Sequence, residues 1–323
     1  MARLNQLSDI LFAVEEQPVC ARIATEDGQH LTPIPEKKAI VNVESGRVLG
    51  VVGRGYRLVT NQQALDWGKQ CCRTVFPETN EREWQVSAVE APGTGGHCHI
   101  DLVHNTASLD FTHLPAQSRP DAYGPFIRVS NSYNGIRALA FNIGFQRKVC
   151  TNGLMASDTV IRFKFAHQKA ALKEEISFTV ARDKLHRMKT TFCKQLTTLS
   201  QYHLEPSQIR LLVYAALRLQ PPPDNRFPQD WENLEAHIEK LCSSYEKELG
   251  TNAYAALNTM TDFASHPLSN RNVRRDRHSY QRLAGQWLDD FFSECRRPDF
   301  DLSYHIEHLA QPKGKVDAKP FLP

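Results

Sequence analysis

The chain has 323 residues, 41% of them hydrophobic and 23% charged, with a formal net charge of +3. A chain of this size buries a core without covalent staples, and its apolar content is too high for a disordered polymer. The mild basic excess excludes a mimic of DNA, which would be strongly acidic. It also falls short of the excess of a dedicated duplex-binding domain, so local patches carry more weight than the total.

Residues 4–14 space Leu4, Leu7, Ile10, Leu11 and Val14 along one face, which predicts a short helix. The period then changes. Residues 19–25 (VCARIAT), 38–43 (KAIVNV), 47–52 (RVLGVV) and 56–59 (YRLV) read as strands, with Ser45-Gly46 as a tight turn between the second and third. Thr60-Asn61 offers an N-cap, and 61–75 reads as a helix. Residues 83–90 and 97–104 are the next strands, and 112–125 reads as a loop. The strongest hairpin signal is 126–131 and 136–143 around Asn134-Gly135, a pair suited to a type I′ turn. A last strand, 160–166, closes the β-rich part.

From residue 171 the apolar spacing is helical. Leu185, Met188, Phe192, Leu196 and Leu199 form one stripe, and 207–219 repeats it until the prolines of 220–223 (QPPP) interrupt. Trp231 to Tyr245 marks another helix with Gly250 as its C-cap, and 254–263 and 280–292 are further amphipathic segments. The order, strands in series and then helices, predicts an α+β protein: an antiparallel β-rich N-terminal part over 1–170, a helical C-terminal part over 171–310 and a loose tail over 311–323.

The eight cysteines are scattered without a CxxC pair, which points to thiols in a reducing, cytoplasmic compartment. The first 17 residues have no charged start before a long apolar run, so no signal peptide is expected. No stretch approaches 18 apolar residues, so no membrane partner is expected either.

Four segments together carry a family resemblance: 51–64 (VVGRGYRLVTNQQA), 128–138 (RVSNSYNGIRA), 147–153 (RKVCTNG) and 250–266 (GTNAYAALNTMTDFASH). The chain resembles the domain-of-unknown-function 932 family, the phage/plasmid-like proteins. The resemblance implies a protein carried by mobile genetic elements; none of its segments is a catalytic signature. More loosely, three strands followed by a helix is also how the core of Rad52-type single-strand annealing proteins begins, a likeness of pattern that no particular residue carries.

Two basic patches are the candidate nucleic-acid-binding residues. The first lies on the central hairpin, where Arg128, Asn131, Tyr133, Arg137, Arg147 and Lys148 would form a cationic, amide-rich face with an aromatic for base stacking. The second is Arg271, Arg274, Arg275 and Arg277, a dense run at a helix start, where positive charge opposes the macrodipole and invites an anion. The competing readings are an ordinary mixed-polarity sheet face and a solvated loop. His97 and His99 share one strand face and could bind zinc if one or two further ligands such as His104 arrived, but a polar strand face near solvent is the simpler reading, and Cys150 reads as a buried apolar thiol. The sequence thus points to a nucleic-acid-binding protein of a mobile element, with single-stranded DNA the leading partner, recombination or annealing the setting, no cofactor, no metal and no catalytic residue assigned. A homo-oligomer and a host protein are further expected partners. The alternatives are a counter-defence or host-interaction protein and a metal-dependent enzyme.

Overall fold

The computed structural model describes residues 3–4, 6–25, 28–106, 109–110, 122–147, 152–153, 161–168, 178–221, 227–273 and 275–310. The strands in chain order are β1 (Arg3–Leu4), β2 (Val14–Thr25), β3 (Gly28–Asn42), β4 (Val48–Gly53), β5 (Trp84–Ala91), β6 (His97–His104), β7 (Leu109–Asp110), β8 (Ala122–Ser132), β9 (Leu139–Arg147), β10 (Asn152–Gly153) and β11 (Ile161–Phe165). The helices are α1 (Asn61–Val75), α2 (Thr179–Gln201), α3 (Pro206–Leu217), α4 (Pro228–Leu249), α5 (Ala253–Ser265), α6 (Arg277–Glu294) and α7 (Leu302–Ala310). The protein is α+β, with antiparallel sheets in the N-terminal half and helices in the C-terminal half. Among the described residues no helix is long and apolar enough to cross a membrane.

The chain divides into two compact units. The first comprises Met1–Leu109, Tyr123–Gln146 and Thr159–Thr190; the second comprises Asp110–Ala122, Arg147–Asp158 and Thr191–Pro323. In the first, β1, β5, β6, β8 and β9 follow one another across a sheet and β11 pairs with β9. Helix α1 lies on one face. Its Gly68 comes so close that an added Cβ would stand 2.5 Å from Val129 Cγ2 of β8. A separate three-stranded sheet runs β2-β3-β4. Its inner face buries Ile40, Leu49 and Val52 against Tyr133, with Phe12, Val14, Tyr56 and Leu58 around them.

Several local expectations change. There is no helix over 4–14: β1 and a 3-10 turn at Leu7–Asp9 precede β2. The Gln6 backbone N–H donates to Asp9 Oδ2 at 2.9 Å, closing that turn, and Leu7, Leu11 and Val14 stay only half-buried. Ile10 is buried, whereas the Phe12 ring sits 6.1 Å from that of Tyr133. Residues 56–59 form no strand, because Tyr56 makes only an isolated bridge to Gln168. The connection after β8 is not a type I′ turn either. Only Gly135 has positive φ (+72°), and the Asn134 side chain organises the bend by accepting from the Ser132 hydroxyl at 2.8 Å and the Ile136 N–H at 3.3 Å. Ser45-Gly46, Gly250 and the 61–75 helix stand as read, with φ +65° at Gly46, φ +85° at Gly250 and a Thr60–Gln63 capping box. The 112–125 loop falls mostly outside the described residues, and the tail over 311–323 wholly so.

In the second unit α5 is the central helix. All but one of its residues are buried, and it packs against α3, α4 and α6. Asn252 caps it, accepting from the Ala255 N–H at 2.9 Å while its amide donates to Leu249 O at 2.7 Å. Helix α7 had no counterpart in the sequence reading.

Candidate nucleic-acid interface

The central hairpin holds its polar residues inward. Arg128 is 0% exposed and closes a two-pronged ion pair on Asp101, with Nε to Oδ1 and Nη2 to Oδ2 both at 2.6 Å. A charge buried this deeply is sustained only by such a partner, so the guanidinium belongs to the sheet rather than to a ligand. Asn131 is also fully buried. Its amide donates to Val59 O at 2.9 Å and to Asn61 Oδ1 at 2.8 Å. Asn61 in turn donates to Ile10 O at 2.8 Å, and its oxygen takes the Cys98 thiol at 3.3 Å. The Tyr133 hydroxyl accepts from the Asn61 backbone N–H at 2.9 Å, and its ring is 0% exposed, with no face open for base stacking. Burial pushes the Cys98 thiol up to about 12 and so disfavours the thiolate, although its hydrogen bond with the Asn131 backbone pulls the other way.

The remaining expected residues scatter. Arg137 is half-buried. Arg147 lies in the second unit, 3% exposed, where Nη2 meets Glu248 Oε1 at 2.6 Å and the guanidinium lies 5.9 Å from the Tyr245 ring centre. Lys148 and Arg274, like Cys150, lie outside the described residues. Arg271 is exposed; it rests 4.0 Å over the Phe227 ring, with Nε 4.0 Å from Asp230. Arg275 is exposed and Arg277 half-buried at the start of α6. That helix start already has its anion: Asp276 is the N-cap and accepts from the Ser279 N–H at 2.8 Å.

The histidines divide between faces. Strand alternation sets His97 and His99 on one side of β6 and His104 on the other. His99 Nδ1 pairs with Ser130 Oγ at 2.7 Å, and His104 Nε2 stands 3.6 Å from Glu83. Among the described residues no three His, Cys, Asp or Glu side chains come together as a metal site.

A basic concavity that the sequence reading missed opens at the root of the β2–β3 ribbon, within the first unit. It encloses about 660 Å³ and is lined by Lys37, Lys38, Arg54 and Arg57, with Glu16 the one carboxylate among the described residues that line it. Lys37 and Arg54 are exposed; Lys38 spans to Glu16 at 2.7 Å. Pro18, Pro33 and Pro35 stiffen one wall. The other wall is Tyr56, whose ring stacks on His167 at 4.7 Å and whose hydroxyl donates to Ser132 O. Burial lowers the His167 pKa, partly offset by its contact with Arg57 O at 3.1 Å, and raises that of Tyr56. The signal available in the sequence was the pair Lys37-Lys38 and the spacing Arg54-x-x-Arg57, which flank the two apolar runs that became β3 and β4.

A second concavity of about 490 Å³ has the opposite character. Glu78 and Glu83 line it beside His104 and Lys189, over a floor of Phe76, Pro125, Phe145 and Leu185. Its mixed and partly acidic rim does not suit a polyanion.

The family model described as Domain of unknown function (DUF932) matches residues 48–287. The chain belongs to the DUF932 family. No match was found among curated proteins or among solved structures. The DUF932 match begins at the first residue of β4 and spans the Asn61–Asn131–Tyr133 network and α5. Three of the segments that carry the resemblance therefore hold up the scaffold in this structure: 51–64 and 128–138 bond to each other, and 250–266 forms the centre of the second unit. The concavity sits at the edge of the DUF932 match, with Arg54 and Arg57 inside it and Lys37 and Lys38 before it.

Proposed function

We propose that this protein binds nucleic acid through the basic concavity at the root of the β2–β3 ribbon, as a factor of a phage or plasmid-like element. One observation carries the reading: among the described residues, four cationic side chains and one carboxylate line one 660 Å³ depression. Lysine and arginine at such a groove neutralise phosphates, while stiff proline rings and an aromatic wall offer apolar surface to sugars and bases. Single-stranded DNA is the first form to try, because the depression is a local groove rather than a helix or ribbon shaped to a duplex groove. The mobile-element setting rests on the resemblance of the four sequence segments; the exposed Arg271 and Arg275 supply a second, weaker cationic surface in the other unit.

The test is fluorescence anisotropy of a labelled single-stranded oligonucleotide across a salt series. Four phosphate contacts predict that log affinity falls with log salt at a slope of roughly −3. Absence of binding to single-stranded DNA, duplex DNA and RNA at low salt would remove the reading.

A further inference from the structure

The 490 Å³ concavity lies wholly within the first unit and has no part in the nucleic-acid reading. Its floor and its mouth differ in chemistry. Phe76 and Phe145 of the floor are buried and Leu185 is half-buried, so a ligand that enters meets apolar surface and sheds water there. At the mouth Glu78 and Lys189 are exposed and Glu83 is half-buried. A depression of this volume, apolar below with a few fixed polar groups above, has the makeup of a small-ligand site.

Glu83 gives the site its sign, and it is held in place. The Thr106 hydroxyl donates to its carboxylate, His104 Nε2 stands 3.6 Å from Oε2, and its backbone carbonyl accepts from the Asn105 N–H at 3.2 Å. The adjoining wall is fixed as well: the Thr79 hydroxyl donates to Phe76 O at 2.6 Å and accepts from Trp84 Nε1 at 3.0 Å. The carboxylate therefore stands at a set place before any ligand arrives, which spares a ligand the cost of ordering it. A carboxylate beside an apolar floor attracts a cation more strongly than one on an open surface, because less water screens it. Among the described residues that line the concavity, two carboxylates face one lysine, and His104 adds charge only when protonated. An inorganic ion does not suit it: among the described residues no three His, Cys, Asp or Glu side chains come together, and the floor offers such an ion nothing.

We propose that this concavity binds a small organic cation, with a primary ammonium group at Glu83 and a ring-sized apolar body over Phe76 and Phe145. Both halves of the site are then used. A free small molecule fits better than a lysine side chain of another protein, because a thin alkyl stem would leave most of the volume unfilled. The site is independent of the nucleic-acid reading.

NMR titration of the full chain tests it. Phenethylammonium shifts the Trp84 indole N–H resonance to saturation, because the Trp84 ring lies 5.6 Å from that of Phe76 and 5.4 Å from that of His104; Trp84→Phe assigns the signal. 3-Phenylpropionate, with the same body and the opposite charge, does not. Glu83→Gln weakens the amine about tenfold, as the loss of a hydrogen bond to a charged group predicts. Lys189→Glu, a change at an exposed position that leaves the packing untouched, strengthens it several-fold. No saturable shift up to tens of millimolar amine overturns the proposal. So does equal binding of 3-phenylpropionate, an affinity that neither substitution moves, or a lysine-bearing peptide that binds where phenethylammonium does not.

Discussion

The central hairpin and the ribbon root both carry cations, and the fold treats them in opposite ways. On the hairpin, Arg128 points into the unit and is held by Asp101, with Asn131 and Tyr133 tied to Asn61. At the ribbon root, Lys37 and Arg54 stay at the surface around a concavity. The difference is one of covering, because the hairpin strands lie in the middle of a sheet whereas β4 is an edge strand and the ribbon leaves its sheet. A run of Arg, Asn and Ser in alternation therefore marks a buried polar network as readily as a binding face.

If that contrast is right, Asp101→Ala is the most damaging change, because it strands a buried guanidinium. About 3–5 kcal/mol of stability should be lost, read by urea unfolding, with Arg128→Met recovering part of it in the double variant. A cost near zero would mean that the hairpin arginine reaches solvent. Asn61→Ala should cost less, about 1–3 kcal/mol, since it leaves Asn131, Cys98 and the Ile10 carbonyl short of a partner.

A smaller effect separates the concavity wall from its rim. Burial holds the His167 pKa below 6.5, so the unfolded chain takes up this proton first as pH falls. The stability contribution is complete above about pH 6.5 and is lost below it. Melting temperatures at pH 7 and pH 5.5 should differ less in His167→Gln than in the parent; an equal difference would show that this imidazole is not the group responsible. The smallest change is expected from Arg271→Ala with Arg275→Ala, both exposed, at less than about 0.5 kcal/mol each.

The fold class, the helix at 61–75 and the helices around Trp231, Tyr254 and Tyr280 were legible because long periodic runs with caps report directly on packing. The β2–β3 ribbon was legible only in part. Its outer strands carry Pro33, Pro35 and polar residues, and face alternation is weak where neither face is covered. Side-chain direction on the hairpin was not legible at all: Arg128, Ser130 and Ser132 alternate with Val129 as a solvent face would, and only the pairing of Arg128 across from Asp101 of β6 shows that this face is buried. The concavity escaped because its four cations are brought together by two separate stretches of chain, β3 at 37–38 and the segment after β4 at 54–57.

The central claim is that the exposed ribbon-root cations, and not the hairpin or the α6 start, hold nucleic acid. The direct measurement is single-stranded DNA affinity by anisotropy at one fixed salt for Lys37→Glu/Arg54→Glu and for Arg271→Glu/Arg275→Glu. The account predicts a loss of more than about tenfold for the first, beyond 1.4 kcal/mol, and little change for the second. Unaltered binding by the first variant, or a loss confined to the second, would contradict it.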